Sequence, residues 1–268
     1  MKSNTPETPQ TDKRNNSSFS RRQLLTGLAA GVGALALGGC DRLGDSEAFR
    51  KVLWAGEKLS YRAHRLITDP NAHAREFSRS DISRPFRTNG NTMPRAAEYQ
   101  RLMANGFAQW QLKIDGLVNR PLALSLADVH RLPQRTQITR HDCVEGWSAI
   151  GEWQGVQLGP LLAKAGLQPD ARFVVFHCAD DFSGVPYYES IDLVDAFHPQ
   201  SILAHRLNGT TLPVGNGAPL RLRVERQLGY KQAKYVMRVE VVNSLKSFGK
   251  GNGGFWEDRI GYEWYAGI

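Results

Sequence analysis

The sequence predicts an α+β domain. Short strand patterns are mixed with short helix patterns without the regular rhythm of βαβ units. No internal repeat is present, and neither a Rossmann nor a P-loop glycine pattern occurs. One large domain with a sizeable core suits the length once a leader is set aside.

The first 40 residues read as an address rather than as fold. A polar stretch containing Ser and Asn leads to Ser20-Arg21-Arg22-Gln23-Leu24-Leu25, followed by the small-residue apolar run from Thr26 to Leu37. This is the pattern of a twin-arginine export signal, a route for proteins already folded around a cofactor. A run of about a dozen residues is too short to span a hydrocarbon core of ~30 Å, which favours removal over a retained anchor with an accidental Arg pair. The run closes on Leu37-Gly38-Gly39-Cys40, which resembles a bacterial lipobox. Acylation of Cys40 would tether a soluble domain to a membrane surface. Ordinary cleavage nearby, with Cys40 lost, is the alternative. Asp41 resembles the signal that keeps lipoproteins at an inner membrane, so the expected location is the periplasm, tethered to the inner membrane.

Residues 41 to 105 are polar and Arg-rich, with Asp69-Pro70, Arg84-Pro85 and Met93-Pro94 interrupting any regular element. Such a segment is expected to be irregular, wrapping a folded body or partly disordered. The alternation in Trp110-Gln111-Leu112-Lys113-Ile114 predicts a half-buried strand, ended by an Asp115-Gly116 turn. Ser125 is placed to cap a short helix from Leu126 to Leu132, stopped by Pro133. A strand from Gln137 to Thr139 leads to Cys143, setting that thiol where a strand enters a loop. Leu158 to Ala165 predicts an amphipathic helix closed by Gly166. Arg172 to Cys178 reads as a buried strand, Ile191 to Phe197 as a short helix, and Leu220 to Val224 and Val236 to Val242 as late strands.

Thirty-four Lys/Arg against 26 Asp/Glu give a net charge of +8. Five of the basic and two of the acidic residues precede Cys40, which leaves +5 on the mature part. That excess suits an anionic cofactor, an anionic substrate or a membrane surface, and an exported protein has no routine access to nucleic acid. After Cys40, only Cys143 and Cys178 remain. The export route permits them to pair as a disulfide. A metal-bound thiolate at Cys143 is the competing reading. One thiol is too few for the usual zinc frameworks, but it suffices for a metal whose other ligands come from an organic cofactor. His141, His177 and His205 lack metal spacing, and of these His141 is the best placed for a contact near Cys143.

The motif Cys143-Val144-Glu145-Gly146-Trp147-Ser148 is followed by Trp153-Gln154-Gly155-Val156 and by Leu158 ahead of Leu161-Leu162. Further on come Tyr187-Tyr188-Glu189-Ser190, Ala196-Phe197-His198-Pro199, Asn216-Gly217-Ala218-Pro219-Leu220-Arg221, Gly229-Tyr230-Lys231 and Gly261-Tyr262-Glu263-Trp264-Tyr265-Ala266. In this order and spacing, residues 107 to 266 resemble the molybdopterin domain of the sulfite oxidase superfamily. Within it they are similar to the catalytic subunits of periplasmic methionine sulfoxide reductases.

The resemblance implies a mixed, sulfite-oxidase-type molybdopterin-binding fold in a single domain over 106–268. It implies a molybdenum–molybdopterin (Mo-MPT) cofactor with Cys143 as the metal ligand. Asn216 and Arg221 would hold the pterin and its phosphate, while Gln232, Ala233 and Lys234 would complete the cradle. Asn89, Gly90, Thr92 and Met93 stand where a loop folds over the pterin, and Cys178 stands where the reductases have a threonine beside it. Arg221, Lys231 and Lys234 are expected to approach the phosphate, because it calls for fork-like or point-charge cations. A solvated strand face is the bland alternative for them. Trp256, Tyr262, Trp264 and Tyr265 are expected either to wall the substrate entrance or to pack as a C-terminal segment on the body.

The Arg-rich segment that follows the cysteine in sulfite-oxidising enzymes is absent, and no Cys-x-x-Cys-His haem site occurs. The expected activity is oxygen-atom transfer on a small S-oxide or N-oxide by a monomer. Its redox partner would be a membrane haem protein or a cytochrome. A sulfite-type dehydrogenase and a non-catalytic envelope lipoprotein remain as alternatives.

Overall fold

The computed structural model describes residues 46–268. The export signal, Cys40 and Asp41 lie outside the described residues. By their contacts, the described residues 46–59 fall in one unit and Ser60–Ile268 in another.

The described chain opens with helix α1, Glu47–Ile67. The segment expected to be irregular therefore carries a 21-residue helix, followed later by α2, Ala97–Ala104. Phe49, Val52, Leu53, Leu59 and Leu66 recur at helical spacing, a pattern masked by the surrounding basic residues. Near the end of α1, Arg65 contacts Asp192 at 2.8 Å and Asp195 at 2.6 Å, and the Tyr61 hydroxyl donates to Asp192 at 2.6 Å. From there the chain runs as an extended strap, joined to the body by Phe77 N–H to the Ile138 carbonyl at 2.8 Å and Ser83 N–H to the Ile150 carbonyl at 2.9 Å.

Among the described residues, ten strands form two sheets. They are β1 (Gln111–Gly116), β2 (Leu122–Ser125), β3 (Gln134–Cys143), β4 (Trp147–Gln157), β5 (Phe173–Phe182), β6 (Val185–Asp192), β7 (Ile202–Leu207), β8 (Thr210–Thr211), β9 (Arg221–Arg223) and β10 (Val236–Val242). The first sheet has the order β2-β1-β10-β5-β6 and the second β3-β4-β7-β8, with β9 also on β7. β1 and β10 run parallel, Lys113 opposite Arg238 and Gly116 opposite Val241. A parallel pair needs a crossover, and this one contains the whole second sheet.

The helices follow local rules. Helix α3 (Leu126–Arg131) is capped by Ser125, whose hydroxyl accepts from Asp128 N–H at 3.1 Å while the Asp128 carboxylate accepts from Ser125 N–H at 3.0 Å. Helix α4 (Leu158–Ala165) ends at Gly166, where φ is +71°, the left-handed region that glycine enters without Cβ strain. Its Leu158, Leu161 and Leu162 are buried in the main core with Leu112, Ile114, Val174 and Phe176, each such side chain stabilising the fold by about 1.5–3 kcal/mol. Helix α5 (Leu193–Ala196) is shorter than expected because Ile191 belongs to β6 and Asp192 is the cap, accepting Asp195 N–H at 2.9 Å. A last helix, α6, spans Phe255–Ile260.

The inward row of β3 departs from an ordinary core. Gln137, Thr139 and His141 are buried in place of apolar residues. The second sheet thus presents a polar interior, which frames the cationic site beside it.

Candidate active site

β3 carries Cys143 to the head of a hairpin, paired with Trp147 across the turn and closed by Gly146 N–H to the Cys143 carbonyl at 3.0 Å. The thiol borders a cavity of ≈170 Å³. Asn89, Gly90 and Asn91 of the strap wall one side, Asp180 and Phe182 of β5 another. Gly229, Tyr230, Gln232 and Lys234 form a third, with Trp256 and Tyr262 beside them. Burial pushes the Cys143 thiol up, only partly countered by a backbone hydrogen bond at Glu145.

Behind this wall lies a cluster of buried cations. Arg221 is fully buried, donating through Nη1 to the Asn216 carbonyl at 3.1 Å and through Nη2 to Asn89 Oδ1 at 3.2 Å. Its Nε has no partner, nor has Asn216 Nδ2. Burial, then Arg223, brings the Arg221 pKa down to about 9. Lys234 Nζ donates to the carbonyls of Asn89 at 2.5 Å and Gly215 at 3.1 Å, and also to that of Asn91. Burial, then Arg221, lowers its pKa to about 7. Arg223 differs, since its guanidinium lies 2.5 Å from the Glu225 carboxylate and both are fully buried.

His141 completes the cluster. Its Nδ1 lies 3.1 Å from Arg223 Nη1 and 3.3 Å from Gln232 Oε1, while its Nε2 has no partner. Burial, then Arg221 and Arg223, holds the His141 pKa well below its usual value, so the imidazole stays neutral. A Cβ on Gly229 would fall 2.6 Å from that Nε2, so this loop passes the histidine only as glycine. At Gly217, φ is +119° and a Cβ would sit 2.7 Å from Lys234 Cβ, so the Asn216-Gly217 turn brings its backbone against the cations only because Gly217 is glycine.

The structure gathers Asn89, Gly90, Cys143, Gln232 and Lys234 on one cavity, with Asn216 and Arg221 directly behind Asn89. Others fall elsewhere. Ala233 is buried in the main core, and its carbonyl accepts Leu222 N–H at 2.7 Å. Thr92 lies against Gly215, and Met93 is exposed. Cys178 borders a second cavity of ≈630 Å³ with Met237 and Arg238. Both Cys143 and Cys178 are free thiols.

Lys231 corrects an expectation. Its ammonium is fully buried, 2.5 Å from Glu189 Oε1 and 2.7 Å from Glu257 Oε1, and so is consumed by carboxylates rather than directed at a phosphate. Burial, then Glu257, raises the Glu189 pKa well above its ordinary value. Trp256 and Tyr262 wall the cavity, whereas Trp264 and Tyr265 pack on Tyr61 of α1, with ring centroids 5.6 and 5.2 Å apart.

Asp180 is the residue that sequence reasoning missed. It borders both cavities, its Oδ1 is buried without a partner, and burial, against the pull of Lys234, raises its pKa to about 7. Nothing in Ala179-Asp180-Asp181 announces burial. Arg223 was missed as well, hidden by its likeness to Arg221 two residues earlier.

The profile of the family described as "Oxidoreductase molybdopterin binding domain" matches residues 100–247. The chain belongs to this family. A putative protein-methionine-sulfoxide reductase subunit, YedZ1, of Azospira oryzae is 38% identical over 252 residues, covering 93% of this chain and 86% of its own. The protein-methionine-sulfoxide reductase catalytic subunit MsrP of Ralstonia nicotianae is 35% identical over 145 residues, covering 50% of this chain and 44% of its own. Its counterpart from Gluconobacter oxydans is 36% identical over 147 residues, covering 50% and 47%. The chain thus spans less than half the length of these two catalytic subunits. Among solved structures, the sulfane dehydrogenase SoxCD of Paracoccus pantotrophus matches with a TM-score of 0.47 and 26% identity, over 51% of this chain and 39% of that one.

Membership makes the protein an oxidoreductase that uses a molybdenum–molybdopterin cofactor on a mixed two-sheet fold of the sulfite oxidase type. The residues present fit that group. Arg221 and Lys234 are buried with neutral oxygens as their hydrogen-bond partners, and Arg221 Nε and Asn216 Nδ2 are unpartnered donors in the same cluster. Buried charge without a counter-ion is costly. A phosphate supplies the missing negative charge, and a soft thiolate at Cys143 suits molybdenum in a sulfur-rich sphere.

Proposed function

We propose that this protein is an envelope enzyme that transfers an oxygen atom from a small S-oxide or N-oxide, a sulfoxide first among them, releasing the reduced product and water. The observation that carries the reading is the juxtaposition of the Cys143 cavity with buried cations lacking a counter-anion. The methionine-sulfoxide reductase names of the relatives support a sulfoxide as substrate.

In this reading Cys143 is the metal ligand and not a nucleophile. Arg221, Lys234 and Asn216 would hold the pterin and its phosphate, with Asn89, Gly90 and Gln232 lining the same cavity. The bound cofactor supplies the two-electron redox chemistry. His141, neutral and fastened to Arg223, keeps β3 and the Gly229 loop in register behind the thiol without adding charge. Each turnover on a sulfoxide takes up two protons and two electrons, and Asp180, with a pKa near working pH, is suited to pass a proton from the second cavity to the first through its carboxyl group. Trp256 and Tyr262 offer an apolar wall against which a thioether-like substrate packs.

The chain is read as exported by its twin-arginine signal and tethered to the inner membrane through lipid on Cys40. No described helix is long and apolar enough to cross a membrane. Electrons come from a membrane haem protein or a cytochrome, a role consistent with the word "subunit" in the relatives' names. The catalytic chain is read as a monomer, with residues 106–268 as its catalytic domain and 41–105 as its wrap.

The test is metal analysis with two assays. The purified mature protein should hold about one molybdenum per chain and oxidise a reduced dye with methionine sulfoxide. Cys143→Ser should lose both properties. Turnover of sulfite with ferricyanide and none of any sulfoxide or N-oxide would reverse the assigned direction.

A further inference from the structure

We propose that helix α1 docks on the surface of an anionic lipid bilayer through its apolar face, whether or not Cys40 carries a lipid. At 3.6 residues per turn, Phe49, Val52, Leu53, Leu59, Leu66 and Ile67 fall within one stripe about 140° wide. A stripe of that width normally faces a core. Here it faces outward: Val52 is 65% exposed, Leu59 69%, Leu66 87% and Ile67 79%. Tyr61 and Arg65, the residues that bind Asp192 and Asp195, lie on the opposite side of the helix. Tyr61 and Arg65 make polar contacts, whereas the residues of the apolar stripe are exposed.

The charge on α1 identifies the occupant. Apart from Arg65, which is held by Asp192 and Asp195, its 21 residues hold four Lys/Arg and two Asp/Glu. An apolar stripe flanked by excess positive charge fits anionic headgroups over acyl chains, the signature of a helix lying in the interface. A second copy of the helix would bring like charge against like charge. The same charges are incompatible with spanning, and no described helix meets the requirements for crossing a membrane. Position agrees, because Cys40 lies seven residues before Glu47, within about 25 Å even if fully extended. A mature chain that begins at the bilayer therefore enters this helix almost at once.

The inference goes beyond the proposed reaction, and its test does not depend on turnover. The cofactor-loaded full chain carrying Cys40→Ser, which removes the acylation site, is floated with vesicles containing phosphatidylglycerol and with vesicles of phosphatidylcholine alone. Binding should be at least about tenfold tighter to the anionic vesicles and should weaken with salt. Val52→Glu combined with Leu59→Glu should weaken it at least about tenfold more, with helix content, molybdenum content and dye-linked turnover unchanged, while Val52→Leu retains binding. Failure to float with anionic vesicles, or equal binding by the double variant, overturns the proposal. So does a lipid-free dimer dissolved by the same pair of substitutions, or retention only on vesicles that contain a reconstituted membrane protein.

Discussion

Two neighbouring arginines on β9 should respond in opposite ways to the same substitution. Arg221 and Arg223 are both fully buried, but only Arg223 has a carboxylate partner, Glu225 at 2.5 Å. The fall of the Arg221 pKa from its ordinary value to about 9, at 1.36 kcal/mol per unit, places a penalty on the order of 4–5 kcal/mol on the charged side chain in cofactor-free protein. Arg221→Met removes that penalty and leaves two neutral acceptors, Asn216 O and Asn89 Oδ1, unpaired at about 1–3 kcal/mol each. These effects largely offset, leaving a net loss of at most about 2 kcal/mol, so the apoprotein should melt no more than about 8 °C below wild type, taking about 2–4 °C per kcal/mol for a domain of this size. Arg223→Met strands the Glu225 carboxylate in the interior and should cost about 3–5 kcal/mol, or about 6–20 °C. With the cofactor bound the order reverses for retention. Arg221→Met loses charge-assisted hydrogen bonds to the phosphate, about 1.5–3 kcal/mol each, and should hold the cofactor roughly 10- to 100-fold or more weakly. Thermal melts of protein made with and without the cofactor, together with molybdenum per chain after dialysis, give both numbers. An apo Arg221→Met variant as damaged as Arg223→Met, or one that keeps full molybdenum, would refute the assignment of an uncompensated cation awaiting an anion.

Lys231→Met should destabilise the protein by about 3–5 kcal/mol at neutral pH, because two buried carboxylates lose their cation. Glu189→Gln should cost less than Lys231→Met, since burial and Glu257 already oppose charge on Glu189 and Glu257 remains to pair Lys231; urea titrations of both variants compare them. Asp180→Asn should flatten the fall in sulfoxide turnover that wild type shows as pH rises through about 7. In stability the sign is equally defined: the folded protein holds the Asp180 proton between 3.8 and about 7 where the unfolded chain has released it, so this contribution declines as pH rises through that window and is absent from the Asn variant. Burial sets it, opposed by Lys234 and reinforced by Asp181, and because Lys234 titrates in the same range the apparent value belongs to the pair.

Local patterns were legible wherever neighbours in sequence are neighbours in space. The Ser125 cap, helix Leu158–Ala165 with its glycine stop, strand Val236–Val242 and the placement of Cys143 at a strand end all follow from residues a few positions apart. Charges defeated the same reasoning when their partners were distant. Lys231 meets Glu189 and Glu257, which lie 42 and 26 positions away, and no local signal separates it from Lys234, which does reach the cavity. Asp180 and Cys178 share one strand, yet only Asp180 borders the Cys143 cavity, and Ala233 turns into the core between two cavity residues. Helix α1 was obscured because its apolar residues are interleaved with five Lys/Arg and two Asp/Glu in a segment later broken by Asp69-Pro70, Arg84-Pro85 and Met93-Pro94. Its periodicity was nevertheless there to be counted.

Lys234 fastens the strap to the sheet, its single ammonium gripping the carbonyls of Asn89, Asn91 and Gly215 at once. A clasp of this kind has to open before the space beneath it can widen. Admission of a bulky guest and closure of the wrap are then successive acts on one hinge pin, and clipping the chain ahead of residue 92 would leave the door unlatched even with every strand intact.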